Sequence, residues 1–156
     1  MILFHGTYTD FQTIELDRCR PYKDFGKGFY LTDIAEQARK MAEKKARIFN
    51  GTPTILRYGF DENLLCDGTL KIKQFDSPSR EWAEFIYNNR SRSTHFIHDY
   101  DIVTGPIAND GVAYLLDRYE EGTLSLDELA HELEFRELNF QYFFGTEAAI
   151  QCLRRL

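Results

Sequence analysis

The sequence predicts an α+β fold, and three observations carry that prediction. Short apolar and aromatic runs closed by glycine, proline or asparagine recur along the chain, and helical patterns fall between them without strict alternation, which argues against a doubly wound parallel sheet. The 156 residues suffice for one domain and hardly for two, so residues 1–156 are read as a single unit. With 43% apolar and 28% charged residues the composition is that of an ordinary folded chain and excludes a disordered one. A chain of this length buries about 70% of the surface its unfolded form exposes, so its core needs neither disulfides nor a structural metal.

The elements follow in order. Residues 2–5 form an apolar run closed by Gly6-Thr7, the pattern of a buried strand ending in a tight turn. Residues 8–27 are polar and irregular, hold Pro21, and finish on the glycines of Asp24-Phe25-Gly26-Lys27-Gly28, which predicts a loop with close backbone approach at its end. Residues 29–32 read as a short strand. Asp33 with Glu36 matches a capping box for a helix whose apolar face is Ile34, Ala38, Met41, Ala42 and Phe49, stopping near Asn50-Gly51. Residues 54–60 have strand composition, with weaker strands at 64–66 and 70–75. Ser77-Pro78 marks the start of a helix through Trp82, Phe85 and Ile86. A strand over 101–107 is interrupted by Gly105-Pro106, and a helix over 113–119 follows. Ser125 with Glu128 opens a second helix reaching about residue 137. Residues 141–145 make a last strand, and Thr146 caps a helix running to Leu153.

Charge is unevenly spread. The net charge is -6, which excludes indiscriminate binding to nucleic acid, yet residues 17–47 carry nine Lys/Arg against five Asp/Glu, and residues 48–156 carry ten against eighteen. Cys19, Cys66 and Cys152 are odd in number and widely spaced, so no disulfide framework or zinc site is indicated and a reducing, cytoplasmic setting is expected. No apolar stretch approaches the length of a membrane span, and the first residues do not form a signal-peptide pattern. Thirteen Phe and nine Tyr predict a ring-packed core and a cleft lined by rings.

The chemistry-bearing motifs lie near the start. Phe4-His5-Gly6-Thr7 ends one strand, and Gly26-Lys27-Gly28-Phe29-Tyr30-Leu31-Thr32 opens the next, directly before a helix. This order resembles the ADP-ribosyltransferase superfamily, in the histidine-tyrosine branch that includes diphtheria-toxin-like and poly(ADP-ribose) polymerase enzymes, and most closely a group of small bacterial proteins placed with it. The resemblance continues through Glu81-Trp82, the strand from Asp101 to Pro106, and Asn139-Phe140-Gln141-Tyr142-Phe143-Phe144, so it spans nearly the whole chain.

The resemblance implies two short antiparallel sheets enclosing an NAD cleft, with peripheral helices. It implies a mono-ADP-ribosyltransferase that cleaves the bond between nicotinamide and ribose and passes ADP-ribose to a protein or nucleic-acid acceptor, in toxin-type members held by a cognate antitoxin. Such a reaction develops positive charge on the ribose, so the site must grip the nicotinamide, fix the ribose hydroxyls and stabilise the cation. By the resemblance, His5 bonds a ribose hydroxyl, the backbone of Gly6 pairs with the carboxamide, and Tyr30 stacks on the nicotinamide ring. Thr7, Gly26, Gly28 and Phe29 complete the cofactor-binding set, the glycines by keeping the strand entrance free of Cβ atoms. The third catalytic position, a glutamate in most of the superfamily, is Gln141. A glutamine bonds a hydroxyl but is no general base, so either the acceptor is itself nucleophilic or another carboxylate helps, with Glu137 the nearest in sequence. Two alternatives stand beside transfer: a non-catalytic NAD- or partner-binding module, and an NAD glycohydrolase.

Three further features complete the reading. His95, His98, Asp99 and Asp101 are metal-ligand types, but without further ligands at suitable spacing they read as a solvated loop, and no metal is expected. Arg39, Lys40, Lys44, Lys45 and Arg47 read as the solvated face of a helix. Arg18, Arg20, Lys23 and Lys27 lead into the glycine loop, where Arg20 is the candidate for the NAD pyrophosphate. The aromatic and acidic stretch from residue 126 to 144 reads as core packing, with a partner-binding face as the alternative.

Overall fold

The computed structural model describes residues 1–133 and 139–156, a mixed α+β arrangement of two sheets and five helices. The strands are β1 (Ile2–Thr7), β2 (Phe29–Leu31), β3 (Thr54–Gly59), β4 (Ile72–Gln74), β5 (Ile102–Pro106), β6 (Phe140–Phe144) and β7 (Arg154–Arg155). The helices are α1 (Ala35–Phe49), α2 (Arg80–Arg90), α3 (Asp110–Glu120), α4 (Leu126–Leu133) and α5 (Glu147–Ile150).

The first sheet has the order β1-β3-β7 and the second β2-β6-β5-β4. Side chains alternate across each strand, so the pairing fixes the layers. Leu3, Leu56 and Tyr58 of the first sheet meet Phe29, Leu31, Ile102 and Phe144 of the second in one buried cluster between the sheets. Val103 and Phe143 point the other way and pack with Phe75, Trp82, Ile86, Val112, Leu129 and Leu133, where α2, α3 and α4 cover the second sheet. α1 lies on the outer face of the first sheet. Its buried stripe is Ala38, Ala42 and Ala46, small enough to bring the helix backbone onto β1.

Several expectations are corrected. The second sheet is not wholly antiparallel: β4 and β5 run parallel, because α2 provides the crossover that a parallel pair requires. Asp33 and Glu36 make no capping box. Thr32 does the work instead, its hydroxyl accepting from Ile34 N–H and donating to Gln37, while Glu36 pairs with Arg39. Ile34, Met41 and Phe49 are exposed, and the alanines form the buried face. The predicted strand at 64–66 is a 3-10 turn over Glu62–Leu65, fastened where Asp61 accepts from Asn63 N–H. α2 is capped by Ser79 rather than Ser77, through its hydroxyl and Trp82 N–H. The last helix stops at Ile150, and the chain returns as β7 against β3. Ser125 and Glu128 do bond reciprocally at the start of α4, whose predicted extension to residue 137 lies outside the described residues, as does Glu137 itself.

Candidate functional site

Besides the packing between them, one backbone bridge ties the two sheets. Phe4 N–H donates to Thr32 C=O at 2.7 Å and Thr32 N–H to Phe4 C=O at 3.0 Å, and among the described residues no other backbone bond joins the sheets. Successive residues of a strand send their backbone groups to opposite edges, so residues two apart share an edge. Gly6, two residues after Phe4, therefore turns its N–H and C=O away from β3 into the gap that opens where β1 leaves β2. His5 sits at the mouth of that gap on the face between the sheets, its ring centroid 4.5 Å from that of Phe29 and 6.1 Å from that of Phe11.

The imidazole of His5 is neutral. Burial, reinforced by the charge of Lys45, lowers its pKa to about 4 against the pull of the bond to Tyr30. His5 Nδ1 lies 2.7 Å from Tyr30 C=O, and since a carbonyl only accepts, Nδ1 carries the proton and Nε2 is left as an acceptor.

Gly6 and Gly28 are required by packing. A Cβ at Gly6 would overlap the Ala38 carbonyl of α1, and one at Gly28 would overlap the Phe143 ring. The absence of a side chain at these two positions thus seats a helix and a strand. Gly26 does need its conformation, with φ at 93°. Thr7 and Phe29 are buried, and Phe29 backs the imidazole.

Around His5 and Gly6 lies a group of cations. Lys45 Nζ donates to Gly6 C=O at 2.7 Å, and burial together with Lys23 and Arg20 lowers its pKa to about 8. Lys23 and Lys45 both act on His5, and Lys27, Lys23 and Lys45 oppose the upward push of burial on the Cys19 thiol. Among the described residues Arg20, Lys23, Lys27 and Lys45 have no carboxylate partner, whereas Arg18 pairs with Glu15. The Arg20 guanidinium rests 5.6 Å from the Phe49 ring centroid. Placing Lys45 on a solvated helix face is therefore corrected. It stands three residues past Ala42 and seven past Ala38, on the buried stripe, and that spacing was the available signal.

Tyr30 and Gln141 share the other face of the second sheet with Phe143. The Tyr30 hydroxyl donates to Gly26 C=O at 2.7 Å and accepts from Phe25 N–H at 3.0 Å, and burial raises its pKa well above the ordinary phenol value. Gln141, 9% exposed, donates from Nε2 to Asp24 Oδ2 at 2.9 Å and to Pro106 C=O at 3.4 Å. Asp24, 8% exposed, also accepts from Arg90 Nε at 2.7 Å and from Ala108 N–H at 3.2 Å. Tyr30 of β2, Gln141 of β6 and Arg90 of α2 thus fasten a single segment, residues 24–26.

Over residues 1–155 the chain matches the family described as protein of unknown function, DUF3990. It belongs to that family. No curated protein and no solved structure matches it.

In this DUF3990 chain, sequence reasoning missed Asp24, Arg90 and His98. His98 Nε2–H donates to Phe25 C=O at 2.6 Å while Nδ1 accepts from Tyr100 N–H, so it buttresses the same segment instead of sitting in a solvated loop, and burial lowers its pKa. A carboxylate flanked by Phe25 and glycines hinted at Asp24, but its partner stands 66 residues away, and no local pattern reveals that pairing. No group of three or more potential metal ligands occurs among the described residues. No helix among them is long and apolar enough to cross a membrane. A cleft of about 450 Å³ runs past Arg90, lined also by Tyr87, Ser91, Arg92, Leu116 and Glu120, and none of the residues singled out in the sequence lines it.

Proposed function

We propose that this DUF3990 protein is an NAD-dependent mono-ADP-ribosyltransferase whose site is the gap between β1 and β2. One observation carries the reading beyond sequence resemblance: Lys45 on Gly6, with Lys23 beside it and His5, Arg20 beside Lys45, and Lys27 joining them around Cys19, make a group of cations with no carboxylate partner among the described residues. Cations crowded enough that Lys23 and Arg20 help lower the pKa of Lys45 are stabilised by an anion among them, and a dinucleotide pyrophosphate is such an anion.

The remaining groups suit the rest of the ligand. Neutral His5 offers Nε2 as an acceptor to a ribose hydroxyl. The Gly6 edge offers backbone N–H and C=O to a carboxamide once Lys45 leaves the carbonyl. Tyr30, half-buried and pinned through its hydroxyl, is a rigid ring for stacking, worth about 1–3 kcal/mol in base-on-aromatic sites. NAD supplies the bond that breaks, between nicotinamide and ribose. The chain's own residues bind it, orient it and exclude water.

The test is incubation with NAD labelled in its ADP-ribose half, followed by assay of free nicotinamide and of label in protein, RNA and DNA. Transfer is expected, and His5→Ala and Tyr30→Ala should each cut nicotinamide release at least tenfold while the protein stays folded. Free ADP-ribose without transferred label would indicate a glycohydrolase. Bound NAD with no turnover would indicate a binding module. No binding and no release would refute the reading. A cognate antitoxin is proposed as partner on the resemblance alone, and co-purification of a bound protein with the tagged chain tests it.

A further inference from the structure

We infer that Asp24 is a positioning residue that turns Gln141 into a fixed hydroxyl acceptor, and that this pairing is why a glutamine, and not a glutamate, serves at this position. The inference rests on the transferase reading above.

The geometry leaves Gln141 little choice. Asp24 Oδ2 and the Pro106 carbonyl only accept, so both must face the amide nitrogen, and both hydrogens of Nε2 are committed. The planar carboxamide then directs Oε1 away from Asp24. Among the described residues Oε1 takes no hydrogen bond, and it is not a sealed, unsatisfied atom. The bond from Nε2 to a carboxylate is charge-assisted and draws electron density toward Oε1, which strengthens it as an acceptor. A neutral side chain so backed offers a ribose hydroxyl a fixed and polarised oxygen.

Asp24 is itself held on three sides. Arg90 forks onto Oδ1 from Nε and Nη2, at 2.7 and 2.6 Å, and Ala108 N–H and Gln141 share Oδ2. A glutamate at 141 would set a second carboxylate against Asp24 in a buried place, where two such groups do not both ionise readily. The carboxylate found in most of the superfamily at the third position is displaced here by one side chain, onto the loop, and Gln141 transmits its effect.

The experiment compares wild type with Asp24→Asn, Gln141→Glu and the double exchange Asp24→Asn/Gln141→Glu. It reads kcat and KM for nicotinamide release, NAD affinity by calorimetry, and the side-chain amide resonances of Gln141 in the unliganded protein. Asp24→Asn should lower kcat at least tenfold with KM within about threefold, and should shift the Gln141 amide protons upfield. Gln141→Glu should also be at least tenfold slower, although it restores the glutamate, with a kcat that depends on pH in the acid range. The double exchange restores one carboxylate and one amide and should exceed both single variants, a non-additivity that independent structural damage does not produce. If Asp24→Asn keeps wild-type kcat, or Gln141→Glu equals or surpasses wild type, the pairing role is overturned while the transferase reading stands. An unshifted Gln141 amide in Asp24→Asn overturns the pairing without reference to activity. A wild type that neither binds NAD nor releases nicotinamide overturns both.

Discussion

Lys45 makes a quantitative prediction about proton uptake. Its ammonium is half-buried against Gly6 C=O with Arg20 and Lys23 nearby, and its pKa of about 8 lies well below the ordinary lysine value of roughly 10.4. An anion bound among these cations favours the charged form and returns the pKa toward normal. At pH 8 about half of the free protein carries the Lys45 proton and nearly all of the complex does, so binding should take up about half a proton. By the same reasoning the uptake is about 0.1 proton at pH 7 and about 0.9 at pH 9. If only the ammonium form binds, affinity falls about tenfold from pH 7 to pH 9, or roughly 1.4 kcal/mol. The perturbation is a titration with ADP-ribose, which carries the pyrophosphate without the nicotinamide bond. Calorimetry in buffers of different ionisation enthalpy gives the proton count from the slope of observed against buffer enthalpy. Lys45→Met should reduce the slope at pH 8 to near zero. Binding by wild type with no buffer dependence at pH 8, or a slope that survives in Lys45→Met, would refute the assignment of Lys45 to the anion site.

Other perturbations have directions fixed by the same structure. Gly6→Ala forces a Cβ into the Ala38 carbonyl of α1, and overpacking against backbone should destabilise by about 3 kcal/mol, a fall in Tm of roughly 10 °C by thermal denaturation. Arg90→Met leaves the Asp24 carboxylate buried without its cation and should remove about 3–5 kcal/mol in urea unfolding, part of which Asp24→Asn should restore. His5 has a folded-state pKa of about 4 against roughly 6.5 unfolded. The unfolded chain therefore binds more protons between these values, and stability should fall by up to about 3 kcal/mol as pH drops through that window. His5→Asn should flatten that part of the stability curve. Tyr30→Phe leaves Phe25 N–H and Gly26 C=O without their partner, which should cost about 1–3 kcal/mol and show as faster proteolysis within residues 8–28.

Periodic and punctuating signals were legible in the sequence. Asn50-Gly51 and Ser125 with Glu128 mark helix ends because each supplies a local conformation or cap that its neighbours alone define, whereas Gly6-Thr7, expected to close the first strand in a turn, lies within β1 paired to Ile55 and Thr54. What stayed hidden depends on distant partners. The parallel β4–β5 pair follows from where α2 lays the chain, and β7 is two arginines whose pairing with Tyr58 and Gly59 has no local pattern. In the candidate site, His5, Tyr30 and Gln141 stood out through motif order, yet the reasons for Gly6 and Gly28 are packing contacts that only the fold discloses. Asp24 and Arg90 escaped for the same reason, since their ion pair exists only where the fold brings the two groups together and neither group encodes it.

Among the described residues the Phe4–Thr32 bridge is the one backbone tie between the sheets, and it fixes the closed end of the crevice. The rest of the contact between the sheets is side-chain packing, the cluster of Leu3, Leu56 and Tyr58 with Phe29, Leu31, Ile102 and Phe144, which shifts more easily than a hydrogen-bonded pair. His5 stands one residue from the tie and packs on Phe29, so it is the most tightly placed of the proposed contacts. Analogues altered at the moiety seated beside His5 should therefore be rejected more sharply than those altered far from it.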